Sequence, residues 1–186
     1  FQFTQSTQQA FYFISAAYLD GVSLNILEDW IGVFNNDICV GSVLWEGGNT
    51  AVPAMGDAGS DLTAGYLQNG DIPTFIIFDE SAQTYYQAIA SEDYAWVNLS
   101  FFNIDYINVY PDCSNELGGS AYIDECGVCS EGTTNHGANS DQDCNGECFG
   151  IAYVNECGCV EGNTGLESDF CYGCTDEQFW NYNSEE

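Results

Sequence analysis

The chain reads as an all-β protein: an antiparallel β-sandwich followed by a small disulfide-rich, loop-dominated repeat region. Three observations carry this. Short runs rich in β-branched and aromatic residues alternate with Gly/Asn/Asp turn clusters over residues 1–110. No window shows a sustained 3.6-residue apolar repeat. Nine of the ten cysteines (Cys113, Cys126, Cys129, Cys144, Cys148, Cys157, Cys159, Cys171 and Cys174) lie beyond residue 110, and only Cys39 precedes them.

The first region holds three of the four tryptophans and most of the aliphatic residues, so it is the part able to bury a core. Its runs are Ala10–Ile14, Trp30–Phe34, Ile38–Trp45, Pro73–Phe78, Thr84–Tyr86 and Ala95–Tyr110. Asn35-Asn36-Asp37, Glu46-Gly47-Gly48-Asn49 and Asn69-Gly70-Asp71 separate them as turns. Alternation is clearest at Phe11/Phe13 and at Phe102/Ile104/Tyr106. A sandwich over residues 1–110 follows.

Residues 111–186 are different in kind. They hold 16 of the 29 acidic residues and an internal repeat: residues 119–127 recur as 150–158, and the same offset of 31 carries Asp112-Cys113 on to Asp143-Cys144. Two tandem units are expected, with a third begun at Cys174 and truncated. A stretch this poor in apolar residues needs covalent staples to hold a fold. The competing chemistry is zinc, because Cys126–Cys129 and Cys171–Cys174 are CxxC pairs. The additional CxxxC and CxC spacings do not suit one tetrahedral site, and disulfides are the expectation for all ten cysteines. Cys39 is expected to bridge to the tail, with Cys113 first, or to a second chain.

Charge narrows function. The chain has no lysine or arginine against 29 Asp and Glu, for a formal charge of −29, where ordinary composition supplies about two dozen basic residues. Nucleic acid and anionic lipid surfaces are therefore excluded as partners of basic side chains. Copies of the chain repel one another unless salt screens them or hard cations sit between carboxylates. No run of 18 apolar residues exists to span a membrane, and the start reads as a mature product after processing. Localisation is expected to be extracellular, secreted or at a cell surface.

Several residues are chemical candidates. Asp141-Gln142-Asp143-Cys144-Asn145-Gly146 fits DxDxNG, a spacing that aims three oxygen donors at one calcium ion. Position twelve of an EF-hand loop would be Ala152, so Glu147 is the expected substitute ligand. The alternative is an acidic turn that sets up Cys144. Asp57 with Ser60 and Asp61 is a second, weaker candidate. His136 lies in a polar connector and reads as an exposed loop residue. Asp79-Glu80 and Glu92-Asp93 are adjacent acids, which on a strand face opposite ways and make no glycosidase pair. No catalytic residue is expected.

Trp30, Trp45, Tyr85, Tyr86 and Trp96 could form a glycan-stacking platform or fill a core. Asn98-Leu99-Ser100 is the one N-glycosylation sequon. Phe1 and Phe3, in an alternating uncharged segment, are candidates for adding a strand to a neighbouring copy or for beginning this chain's own sandwich.

The stretches Ser6–Phe13, Asp29–Asn35, Asp37–Gly41 and Gly70–Phe75 resemble a β-sandwich module of large secreted proteins of marine bacteria. The tail resembles the Cys-rich repeats of form DECGVCxG that accompany it, similar in style to thrombospondin type 3 calcium repeats. Gly173-Cys174-Thr175-Asp176 with Asn181-Tyr182-Asn183 resembles the opening of a GCTDxxxxNYN unit. The resemblance implies a secreted, surface or matrix role and carries no transferable chemistry. The expected function is a structural subunit of an extracellular filament or surface layer, with copies of itself as partners, disulfides and calcium as stabilisers. The alternative is a calcium-dependent carbohydrate-binding or adhesion module whose partners are glycans.

Overall fold

A computed structural model describes residues 1–171. The described residues divide into two units, one of residues 1–119 and a second that begins at residue 120. The first therefore extends nine residues beyond the expected limit at 110. The reason is local: Gly118 N–H donates to the Tyr110 carbonyl, Pro111 bridges to Leu117, and Leu117 packs against the first unit's core.

The first unit is all β. Its strands are β1 (Gln9–Ile14), β2 (Ala17–Leu19), β3 (Val22–Ser23), β4 (Trp30–Asn35), β5 (Ile38–Leu44), β6 (Thr50–Met55), β7 (Thr74–Asp79), β8 (Thr84–Ala90), β9 (Phe101–Ile104) and β10 (Ile107–Val109). They form two sheets, one in the order β6-β1-β9 and the other in the order β3-β2-β10-β8-β7-β4-β5. The predicted turns fall where expected. Asn36-Asp37 closes β4–β5 with Asn36 at φ 51°, a left-handed conformation that asparagine tolerates. Asp79 closes β7–β8, its Oδ1 accepting from Ser81 N, Ala82 N and Ser81 Oγ.

Pairing between these strands is antiparallel except at two places. β1 runs parallel to β9 and β2 runs parallel to β10, with one constant offset of 90 residues, from Phe11↔Phe101 to Leu19↔Val109. The two pairs are thus a single parallel ribbon that leaves one sheet at Ser15-Ala16 and Asp105-Tyr106 and enters the other, its register held by Ser15 N–H to Ile104 O and Ile107 N–H to Ala16 O.

The core lies between the sheets: Tyr12, Ile14, Ile31, Val33, Val40, Val52, Met55, Leu67, Ile77, Trp96, Ile104 and Ile107. Its polar groups are matched. Trp96 Nε1–H donates to Ala54 O at 3.0 Å, and Tyr12 Oη donates to Tyr94 O at 3.2 Å. Gly56 is required beside Trp96, since a Cβ there would come within 2.3 Å of the indole. Burial also pushes the Tyr12 phenol far above its ordinary range.

The described part of the second unit holds two small hairpins, β11 (Tyr122–Ile123) with β12 (Cys129–Ser130), and β13 (Tyr153–Asn155) with β14 (Gly158–Val160). They fall at equivalent places in the 31-residue repeat. No helix among the described residues is long and apolar enough to cross a membrane.

Candidate functional site: the cross-linked acidic repeats

Disulfides are the covalent frame of the tail. Cys126–Cys148, Cys144–Cys159 and Cys157–Cys171 are bonded over separations of 22, 15 and 14 residues, and Cys113 and Cys129 are disulfide-bonded as well. Loops of this length restrict the unfolded chain by roughly 3 kcal/mol each. These cysteines are therefore staples rather than zinc ligands. Cys174 and the third unit lie outside the described residues. Disulfides of this density place the folded chain in an oxidising environment.

Cys39 is a correction. It is free and half-buried, so within this chain it bridges neither to Cys113 nor elsewhere in the tail. Its sequence position on β5 leaves its Sγ against the Gly41 carbonyl at 3.5 Å, and desolvation pushes the thiol pKa up. A thiol so held carries little thiolate at neutral pH.

The second frame of the tail is a set of side-chain-to-backbone bonds from Asp and Asn. Asp124, at the end of β11, receives Cys126 N–H and Val128 N–H on Oδ1, and Ser130 Oγ–H and Asn139 N–H on Oδ2. The Ser130 hydroxyl foremost, against partial desolvation and with the amides of Asn139, Val128 and Cys126 adding, holds the Asp124 carboxyl at about 2. Asn155, its equivalent in the second unit, makes the corresponding bond to Cys157 N–H at 2.8 Å. Asp143 receives Asn145 N–H and Glu147 N–H on Oδ1 and Ala152 N–H on Oδ2. Asp112 uses Oδ1 in the same way for Ser114 and Glu116. Each is a short acidic side chain closing a turn whose amides have no ladder partner.

The DxDxNG residues take part in the same pattern. Asp143 is committed to three amides and is held below its usual pKa first by the Glu147 N–H. Asp141 Oδ2 faces His136 Nε2 at 3.1 Å, Glu147 Oε2 accepts from Asn163 Nδ2 at 2.6 Å, and the backbone N–H of Asn145 serves the Asp143 turn. Among the described residues no three His, Cys, Asp or Glu side chains gather to hold a metal ion. Asp57 is likewise a turn residue, its Oδ1 accepting from Gly59 N at 2.8 Å.

His136, expected as an exposed loop residue, is partly buried and hydrogen-bonded. Ser130 Oγ donates to Asp124, which leaves it an acceptor toward His136 Nδ1 at 2.9 Å; Nε2 meets Ser140 Oγ at 3.2 Å and Asp141. The chain Asp124–Ser130–His136–Asp141 thus ties the hairpin to the following loop. Its serine is fully buried, so it offers no nucleophile to a substrate. The acidic pairs in the first unit also serve turns: Asp79 caps β7–β8, and Glu92 Oε2 accepts from Asp105 N–H and Ser91 Oγ.

The aromatic platform is divided by the fold. Trp45 and Trp96 are in the core and Tyr86 packs against it. Trp30 and Tyr85 remain on the outer face of the large sheet, lining a cavity of about 180 Å³ with Phe78 and Phe1.

Phe1 and Phe3 are used by their own domain. Phe1 lies over Gly32, where a Cβ would come within 2.6 Å of its ring, and meets Phe34 and Tyr85 edge-on at 5.8 and 5.3 Å. Phe3 packs on the core, Thr4 N–H donates to Tyr66 Oη, and Ser6 Oγ donates to Gly56 O. Asn98 sits in a turn before β9 rather than in a strand. Its Oδ1 accepts Gln9 N–H at 3.0 Å. No protein family model, curated protein or solved structure matches the chain.

Proposed function

We propose that this chain is an extracellular structural protein, a subunit of a filament or surface layer assembled from its own copies. The observation that carries the reading is the surface. A chain of net charge −29 with no lysine or arginine nevertheless exposes large apolar side chains, among them Leu99, Phe101, Phe149, Ile151 and Val154. On the outer face of the β6-β1-β9 sheet, Phe11, Phe13 and Phe101 form a contiguous aromatic strip, with Phe101 69 % exposed and stacked on Phe11. Such strips gain by burial between molecules, and the tail's disulfide and Asp frame suits a material that must persist in an oxidising exterior.

Copies can meet through this strip only if their charge is screened or bridged. Calcium enters the reading between copies, on carboxylates contributed by different molecules. Deletion of the strip by Phe101→Ser with Phe11→Ser tests it. Filaments or sheets under electron microscopy that vanish in the double variant support the reading; assembly unchanged by it refutes this contact.

A further inference from the structure

The parallel ribbon creates a groove where it enters the larger sheet. Tyr106, Asn108 and Tyr110 alternate along β10 and its flanks and so share one face. Tyr18 on β2 stands opposite Asn108 in register, and Gly21 closes the end of the β2–β3 turn. These five residues line an open groove of about 360 Å³, within the range of about 300–1,000 Å³ for small-molecule sites. Tyr106 and Tyr110 are 39 % and 47 % exposed, and the Tyr18 and Tyr106 rings lie 6.5 Å apart.

The floor is polar and incompletely used. Asn108 is only 6 % exposed, and its Oδ1 accepts Gly21 N–H at 3.3 Å. Among the described residues its Nδ2 has no hydrogen-bond partner. Every enclosed side-chain N or O atom among the described residues has one, so Nδ2 opens on the groove as a donor awaiting an acceptor.

The ligand class follows by elimination. An anion meets a surface of charge −29 without a cationic side chain, with Glu92 and Asp105 beside Tyr106. A simple cation suits tyrosine faces but offers no acceptor to Nδ2–H. A neutral ring with a C–H face and hydroxyl oxygens at its rim satisfies both the aromatic walls and the amide floor. We propose that Tyr18, Tyr106, Tyr110 and Asn108 form a binding site for the pyranose ring of a neutral carbohydrate. None of these residues belongs to the Phe11/Phe13/Phe101 strip, so the site stands whether or not the chain assembles.

The test is calorimetric titration of the full chain with the methyl glycosides of glucose, galactose, mannose and N-acetylglucosamine, and affinity electrophoresis through dextran and galactomannan. Saturable binding to at least one is expected. Tyr106→Ala should weaken it by about tenfold, as should Asn108→Asp, which keeps the acceptor for Gly21 N–H and removes the donor. Because Tyr106 is exposed, that variant carries the test even if Asn108→Asp fails to fold. Binding to none of these probes, saturable binding of tetramethylammonium instead, or unchanged affinity in Tyr106→Ala overturns the proposal.

Discussion

Trp96 is where the first unit's stability can be examined most sharply. It is 1 % exposed, lies outside any strand, and its side chain makes one hydrogen bond to the sandwich, Nε1–H to Ala54 O at 3.0 Å. Trp96→Phe keeps a ring in place and removes that donor, leaving a buried carbonyl short of a partner; the cost is about 1–3 kcal/mol. Trp96→Ala adds a cavity under Gly56, where the indole now seats, and costs about 3–5 kcal/mol. For a unit of this size each kcal/mol lowers the melting temperature by roughly 4 °C or more. Trp96→Ala should therefore melt at least roughly 12 °C below the parent, with Trp96→Phe between them. The assay is a thermal melt followed by near-ultraviolet circular dichroism. The reasoning fails if Trp96→Phe melts with the parent, or if the two variants are equal.

The other predictions concern the arm, the tail and the thiol. Deleting residues 1–5 should leave the sandwich folded, because β1 begins at Gln9, while removing the half-buried Phe1 and Phe3 costs about 1–3 kcal/mol in a denaturant melt; an unfolded product contradicts this. Asp124 has a folded pKa below its unfolded value near 3.9, so its contribution is present above that pH and is lost as pH falls toward about 2. The Val128 and Asn139 amide resonances should titrate with a midpoint near 2; a midpoint near 4 contradicts the buried turn. Cys39 should be recovered alkylated after denaturation without reductant, with Cys126–Cys148, Cys144–Cys159 and Cys157–Cys171 intact; recovery of Cys39 in a tail disulfide refutes the pairing.

The β runs and their turns were legible because they rest on local chemistry: β-branched and aromatic alternation, and Asn, Asp or Gly where the chain reverses. Which face each run buries was not. At Phe11/Phe13 the residues between, Ala10, Tyr12 and Ile14, are also apolar, and they are the ones that face the core. At Phe102/Ile104/Tyr106 the alternation continues through a bend that changes sheet, so Ile104 is buried and Tyr106 is exposed. The ribbon's parallel pairing joins residues 90 apart, beyond any local pattern.

In the tail the repeat located the turns but not what their carboxylates hold. A DxDxNG spacing suits calcium and an amide-capped turn equally, and Asp143 makes the amide bonds of such a turn. Retention of an Asx at Asp124 and Asn155, each two residues before a cysteine, was the available signal for the capping frame. His136 was misread because its partners, Ser130 and Asp141, lie on either side of the connector and meet only when the hairpin folds.

The central claim is that copies of this chain assemble through an apolar strip once their charge is screened or bridged. Electron microscopy of the purified full chain tests it most directly, with samples at low salt, at high sodium chloride, and with calcium before and after chelation at constant ionic strength. The account predicts dispersed particles at low salt and regular filaments or sheets with calcium, which chelation dissociates. Dispersed monomers under every condition would contradict it.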